Sequence, residues 1–400
     1  MARILVLCSR LPYPLTGGAK LRMFYTAREL AQDHDVELLV VDEEPVGRSA
    51  VETLEETFDA VHVFSYPTYR FYMNTLRGII SRHPLQTHYY RFTALDSWLD
   101  ANEDRFDLMY CNHVRTTEYV RHRETPRVVD LVDAISRNYR AAQSRARGLW
   151  RAIYPIEWRR LARYERTVVE SFDHAFITTE EDRKFVSPAG DESTLSVLPN
   201  GVKPELLDRT HTPTETTAST DGGTIVFLGK MDYFPNEDAA TYFATEVFPQ
   251  IREARPEAEF FIVGSNPTAE VTALADHPGV TVTGFVDDPV EYFDLADVAV
   301  APMRYGAGLQ NKVLEALSLS CPTVVTPLAW EGIQAIDGKH LVVADTAEQL
   351  ADETISLLDS PARRARLGRA GHELIASTYT WERIGQQLRT AVQQVLSNTS

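Results

Sequence analysis

Short apolar runs closed by turn-forming residues recur along the chain, and stretches with apolar positions at helical spacing follow them. The runs at 3–9 (RILVLCS), 36–41 (VELLVV), 60–64 (AVHVF), 107–111 (DLMYC) and 127–132 (RVVDLV) read as buried strands of a parallel sheet. Between the third and fourth of these, 68–104 reads as helical and is rich in Tyr and Phe. Strand character returns at 176–179 and 195–198, and PNGV at 199–202 is a turn. A polar, Thr-rich stretch, LLDRTHTPTETTASTDGG at 206–223, then separates this series from a second one. The second series has strands at 224–228, 259–263, 280–283, 297–301, 323–326 and 341–343, with a helix expected from 237 toward 251. The pattern predicts an α/β protein of two facing doubly wound, Rossmann-like domains with a cleft between them. The expected division is 1–205, a linker at 206–223, a second domain at 224–378, and a helix at 379–400 that packs back on the first domain.

Composition narrows the class. The chain has 400 residues, 44% hydrophobic and 24% charged, which suits two globular domains. A formal net charge of −17 argues against general nucleic-acid binding. Cys8, Cys111 and Cys321 are odd in number and far apart, so neither a disulfide framework nor a Cys-rich zinc pattern is expected. The opening, MARILVLCSRLPYP, holds too short an apolar run for a secretory signal. No stretch approaches the roughly 20 apolar residues of a spanning helix. A cytoplasmic protein is expected, with membrane contact only at its surface.

The most informative stretch is 305–317, YGAGLQNKVLEAL. Its glycines allow a tight turn and close approach to a ligand, and the helix that follows turns unpaired N–H groups toward an anion such as a pyrophosphate. Lys312 and Glu315 share one helix face, a cation for phosphate beside an acceptor for ribose hydroxyls. An ordinary surface Lys–Glu pair would read the same way. Lysine usage favours the site: of 40 basic residues only 6 are Lys, and Lys20, Lys230 and Lys312 each sit beside a glycine turn (Gly17 and Gly18; Gly229; Gly306 and Gly308). His113 and Asp133 fall where strands end, as candidate catalytic groups or, equally, as a loop histidine and a helix N-cap.

One segment reverses the charge of its surroundings. Nine arginines lie within 134–172, among them Arg151, Arg159, Arg160 and Arg163, interleaved with Trp150, Tyr154 and Trp158. Such a helical stretch suits an anionic membrane surface or a lipid-phosphate acceptor. A helical pair whose arginines meet acidic neighbours would also account for it.

Five motifs in order, PLTGGAKLR at 14–22, VLPNGV at 197–202, FLGKMDYFPNEDA at 227–239, GFVDD at 284–288 and GAGLQNKVLEAL at 306–317, together with the Trp381 region, resemble the family 4 glycosyltransferases of the GT-B fold. The similarity spans nearly the whole chain and points to the polysaccharide and protein-glycosylation subgroup. It implies a retaining, metal-independent hexosyltransferase that uses a UDP- or GDP-linked sugar and no separate cofactor. Lys230 and Lys312 are then implied to hold the donor pyrophosphate, Glu315 its ribose, and Gly17 and Gly18 a loop over phosphates and acceptor. Phe285 and Val286 would lie near the base, and backbone amides at 306–309, including Leu309, near the sugar. Three positions depart from the pattern: Ala307 replaces the first glutamate of the family's pair, Asn236 a second phosphate-binding lysine, and Asp133 a histidine near the reacting sugar. The expected role is sugar transfer to a growing lipid-linked glycan or polysaccharide, for cell-surface protein glycosylation, from a peripheral membrane position. The alternative, favoured by Ala307 and Asp133, is a non-catalytic nucleotide-sugar-binding subunit of a glycan-assembly complex.

Overall fold

The computed structural model describes all residues except 144–147, 149, 189–193, 210–221, 307 and 399–400. Most of the expected linker, Ala307, and Arg145 and Arg147 of the basic segment therefore lie outside the described residues. The chain divides into two compact units, 1–200 with 381–400, and 201–380.

The first unit is built on seven parallel strands, β1 (Arg3–Cys8), β2 (Asp35–Asp42), β3 (Ala60–Ser65), β4 (Leu108–Asn112), β5 (Arg127–Asp130), β6 (His174–Ile177) and β7 (Leu195–Val197). Their order across the sheet is β3-β2-β1-β4-β5-β6-β7. β1 is buried at every position after Arg3, as a strand covered on both faces must be. One face packs Leu5, Leu7, Met109 and Val129 with the Trp150–Ser171 helix, and the other packs Ile4, Val6, Val36 and Val128 with the Gly18–Leu30 helix. The Trp381–Asn398 helix completes the second face through Trp381, Ile384, Leu388 and Val392. It lies close against the Gly18–Leu30 helix: a Cβ on Gly385 would stand 2.1 Å from Glu29 Oε2, Arg389 pairs with Glu29, and Trp381 stacks on Tyr25 at 4.9 Å.

The second unit has six parallel strands, β8 (Thr224–Leu228), β9 (Glu259–Val263), β10 (Val280–Gly284), β11 (Val298–Ala301), β12 (Thr323–Val325) and β13 (Val342–Val343), in the order β10-β9-β8-β11-β12-β13. The helix expected from 237 starts earlier, as Phe234–Tyr242, and is widened by a π turn at Phe243–Val247 before Phe248–Ala254. Pro249 explains the break, because it has no N–H to give to the preceding turn.

At the centre of the first unit lies a buried ion pair. Arg22 donates from Nε and Nη2 to the Asp130 carboxylate at 2.6 and 2.9 Å, and from Nη1 to Asn200 Oδ1 at 2.8 Å and the Pro199 carbonyl at 3.2 Å. Both partners are essentially inaccessible to solvent. The bidentate geometry satisfies the guanidinium fork and offsets its desolvation. Arg22→Ala strands the Asp130 carboxylate and should destabilise this unit by about 3–5 kcal/mol. Urea unfolding checks this; a wild-type midpoint would show that the pair holds nothing together.

Candidate functional site

In the second unit the strand order reverses between β8 and β11. Loops leaving strands at such a reversal part toward opposite faces, and the gap at the carboxyl ends is where doubly wound sheets bind ligands. The loop after β8 begins with Gly229 and Lys230; the loop after β11 contains Gly306, Gly308 and Leu309 and leads into the Asn311–Ser318 helix. Close packing dictates glycine at the first: a Cβ on Gly229 would stand 2.7 Å from Asn236 Nδ2. In the second loop Gly306 and Gly308 take φ of 129° and 75°. The Leu309 side chain is buried in the core with Val313, Leu314 and Leu317, so its backbone alone is left to face a ligand.

Lys312 rises from the first turn of that helix. Its Nζ lies 4.6 Å from the centre of the Phe227 ring and 3.6 Å from Met303 Sδ, and donates to Asn236 Oδ1. Asn236 Nδ2 in turn donates to the Lys230 carbonyl at 3.0 Å. One amide thus fixes the Lys312 ammonium to the backbone of the opposite loop. Among the described contacts its partners are a ring, a thioether and an amide, all neutral. Burial pushes Lys312 down to about 7, with Glu315 opposing. Burial likewise pushes the Glu315 carboxyl up to about 7, opposed by Lys203 and Lys312. Lys230 stands outside, largely exposed, with Nζ 3.3 Å from Asp232. Phe285 is 73% exposed, while Val286 packs partly buried beside Phe293 and Val263.

The first unit repeats the reversal between β1 and β4. Gly17, at φ 76°, opens the Gly18–Leu30 helix, and Lys20 donates to the Tyr13 carbonyl at 3.4 Å. His113 follows β4 in the left-handed region, φ 72°, with its N–H on the Asp130 carbonyl at 2.7 Å. Val132, after β5, is left-handed too, at φ 67°. Non-glycine residues held there are strained, and such strain concentrates at functional sites. Burial, with Arg115 and Arg10, holds the His113 imidazole well below its ordinary range, so it is neutral at pH 7. Leu7 sits opposite Cys111, which brings Ser9, Asn112 and His113 to one corner of the sheet. Ser9 Oγ, both Asn112 amide atoms and His113 Nδ1 are buried without a partner among the described residues. Asp133 accepts from Thr178 Oγ1 at 3.0 Å, and burial together with Asp182 pushes it up to about 7.

Residues 222–360 match the family described as Glycosyl transferases group 1. The whole chain also superposes on known structures: sucrose-phosphate synthase from Thermosynechococcus elongatus (TM-score 0.71, 15% identity, 99% of this chain and 100% of that one) and Anabaena HepE in complex with UDP and glucose (TM-score 0.67, 14% identity, 98% and 100%). The chain has the GT-B fold. A curated relative, the GDP-mannose-dependent monoacylated alpha-(1-6)-phosphatidylinositol monomannoside mannosyltransferase of Corynebacterium glutamicum, is 27% identical over 235 residues. The match spans 53% of this chain and 59% of that protein.

The second unit gathers Gly229, Lys230, Asn236, Gly306, Gly308, Lys312 and Glu315 around one strand reversal, and the first gathers Gly17, Lys20, His113 and Asp133 around the other. The aromatic–arginine segment is dispersed. Trp150 is exposed and Arg159 lies against the Trp158 ring at 4.9 Å, whereas the Trp158 indole N–H is buried. Arg160 is not a surface contact: its guanidinium donates to the Gly78 and Ile79 carbonyls at 3.3 and 3.0 Å and to Glu157 at 2.9 Å. Arg151 and Arg163 are exposed. Sequence reasoning missed Lys203, whose charge acts on Glu315, although it too is one of the six lysines and follows Gly201. It also missed Arg22, two residues beyond Lys20 in the same motif.

The half-buried lysine fixes the sign of a pH effect. Unfolded Lys312 stays protonated up to its ordinary 10.5, whereas in the fold it loses its proton near 7. Across that window the unfolded state binds more protons, so stability rises with pH. Wild type should gain stability relative to Lys312→Met between pH 7 and 10, by a few kcal/mol at most. Urea titrations of both proteins across that range measure it; parallel curves would overturn the assignment.

Proposed function

We propose that this protein is a retaining, metal-independent hexosyltransferase that moves a sugar from a nucleotide donor onto a lipid-linked glycan or polysaccharide, serving cell-surface protein glycosylation. One observation carries the reading: a half-buried lysine at the strand reversal of the second unit, held in place by an amide and given no carboxylate partner among the described contacts. An anion is what such a group lacks. The pyrophosphate of a nucleotide sugar would supply it and would raise the Lys312 pKa, keeping the ammonium charged.

Cleavage of the sugar–phosphate bond loads negative charge on the departing nucleoside diphosphate. Lys312, Lys230 and the positive N-terminal end of the Asn311–Ser318 helix are assigned to that charge, each contributing a few kcal/mol in a site that excludes water. In this reading the cations perform the task that a divalent metal performs elsewhere. Glu315 accepts from the donor ribose, and Phe285 stacks near the base. The Gly306 and Gly308 amides reach the sugar in place of the glutamate that Ala307 replaces. On the first unit, neutral His113 is a hydrogen-bond donor for a sugar hydroxyl, and Asp133, titrating near neutrality, is the group able to exchange a proton there. A lipid-borne acceptor is supported by the curated relative, whose name specifies a mannosylated phosphatidylinositol. That name specifies GDP-mannose as donor and the HepE complex contains UDP, so both nucleotides are candidates.

A thermal-melt panel with UDP, GDP and ADP tests this. One nucleoside diphosphate, at about 100 times its dissociation constant, should stabilise the protein by roughly 2.7 kcal/mol, and Lys312→Ala should abolish the shift. With that donor and a membrane lipid extract, labelled sugar should enter the lipid fraction with its anomeric configuration kept and at a rate unaffected by EDTA. A nucleotide shift without transfer would identify a non-catalytic binding subunit instead; no shift at all would overturn the donor site.

A further inference from the structure

The Thr68–Gly78 helix is amphipathic in the reverse sense. Its inward residue Phe71 is fully buried, while Tyr69, Tyr72, Met73 and Leu76 are each more than 60% exposed, and Ile79 and Ile80 continue the stripe at 58% and 94%. Positions 69, 72, 73, 76 and 80 recur at helical spacing, so the period that ordinarily buries a stripe here turns one to solvent. A contiguous apolar stripe of this size on a soluble protein marks an interaction surface.

Charge points to the occupant. The protein has 57 acidic residues in 400, yet none occurs between Asp59 and Asp96, where Arg70, Arg77, Arg82 and Arg91 lie. A second acid-free run extends from Asp133 to Glu157 and holds five arginines. The fold joins the two runs. Arg160 binds the Gly78 and Ile79 carbonyls, Glu157 accepts the Leu85 N–H at 2.8 Å, and Gln86 donates to Tyr139 at 2.8 Å. Exposed Ile156 lies one turn from Arg160 on the same helix face. Glu157, the acid that ends the second run, is buried and turned to these contacts.

We propose that this face, the stripe from Tyr69 to Ile80 with Ile156 and exposed Arg77, Arg82 and Arg159, seats the first unit on an anionic lipid bilayer. The Tyr, Met, Leu and Ile side chains enter the headgroup–acyl boundary while the arginines meet lipid phosphates at its rim. The nearby Arg160 and Glu157 serve to hold the two helices in one surface. This goes beyond the transferase reading and stands on separate residues.

The test is sedimentation of the full chain with vesicles of phosphatidylcholine alone or mixed equally with phosphatidylglycerol. Wild type should sediment with the mixed vesicles and weakly with the neutral ones. Leu76→Ser combined with Ile80→Ser, at exposed positions, should lower partitioning about tenfold or more, following the loss of inserted CH2 groups. Arg77→Glu with Arg82→Glu should remove the preference for the anionic lipid, each lost arginine being worth roughly fivefold before the added repulsion. Wild type left in the supernatant with both vesicles overturns the proposal, as does a Leu76/Ile80 variant that sediments like wild type. A wild-type dimer that this variant abolishes, without vesicle binding, overturns it in favour of a second copy of the chain. The nucleotide melt of the same variant should be unchanged; vesicle binding without any nucleotide shift would defeat the transferase reading and leave this one standing.

Discussion

The constraint on which both units depend is the single reversal of strand order in each parallel sheet. Strands β8 and β11 lie side by side, yet their outgoing loops cross to opposite faces, and the same holds for β1 and β4. Backbone at that point cannot close over itself, so polar groups collect where two loops diverge. Glycines at 229, 264, 306 and 308 are there because the chain must pass close to itself or turn with positive φ. The chemistry follows from the topology: the lysines and carboxylates are carried to this gap by the strands and helices that bound it.

Positioning within each corner is a matter of long-range polar ties. In the second unit Asn236 spans from Lys312 to the Lys230 carbonyl and so couples the two loops. A lysine in that position would repel Lys312; the amide holds it instead, accepting with one atom and donating with the other. In the first unit Arg22 does the corresponding work, linking the helix after β1 to the end of β5 and to the 199–200 turn. Because Asp130 also accepts the Val132 N–H at 3.0 Å and its carbonyl takes the His113 N–H, the ion pair fixes the backbone on which both candidate groups of that corner stand.

The first unit also separates two uses of arginine. Arg22, Arg137 and Arg160 are tied to carboxylates or carbonyls inside the fold, whereas Arg77, Arg82 and Arg163 are exposed. In a chain of net charge −17, the stretches 60–95 and 134–156, which carry the exposed stripe and several of these arginines, contain no acidic residue.

Local pattern by itself determined a good deal. The alternation of buried apolar runs with helical periods specified two doubly wound sheets, since a strand buried on both faces must be continuously apolar and a crossover needs a helix. The rarity of lysine against arginine picked out Lys312, because a residue type used six times carries more information than one used thirty-four times. Pairings across the fold were decided by tertiary structure alone: Arg22 meets Asp130 across 108 positions and Lys312 meets Asn236 across 76, and no local period encodes such a distance. The direction of an amphipathic stripe was likewise beyond the sequence. The spacing of Tyr69, Tyr72, Met73 and Leu76 is that of any packed helix, and only the folding of Phe71 against the core shows which side of it faces water.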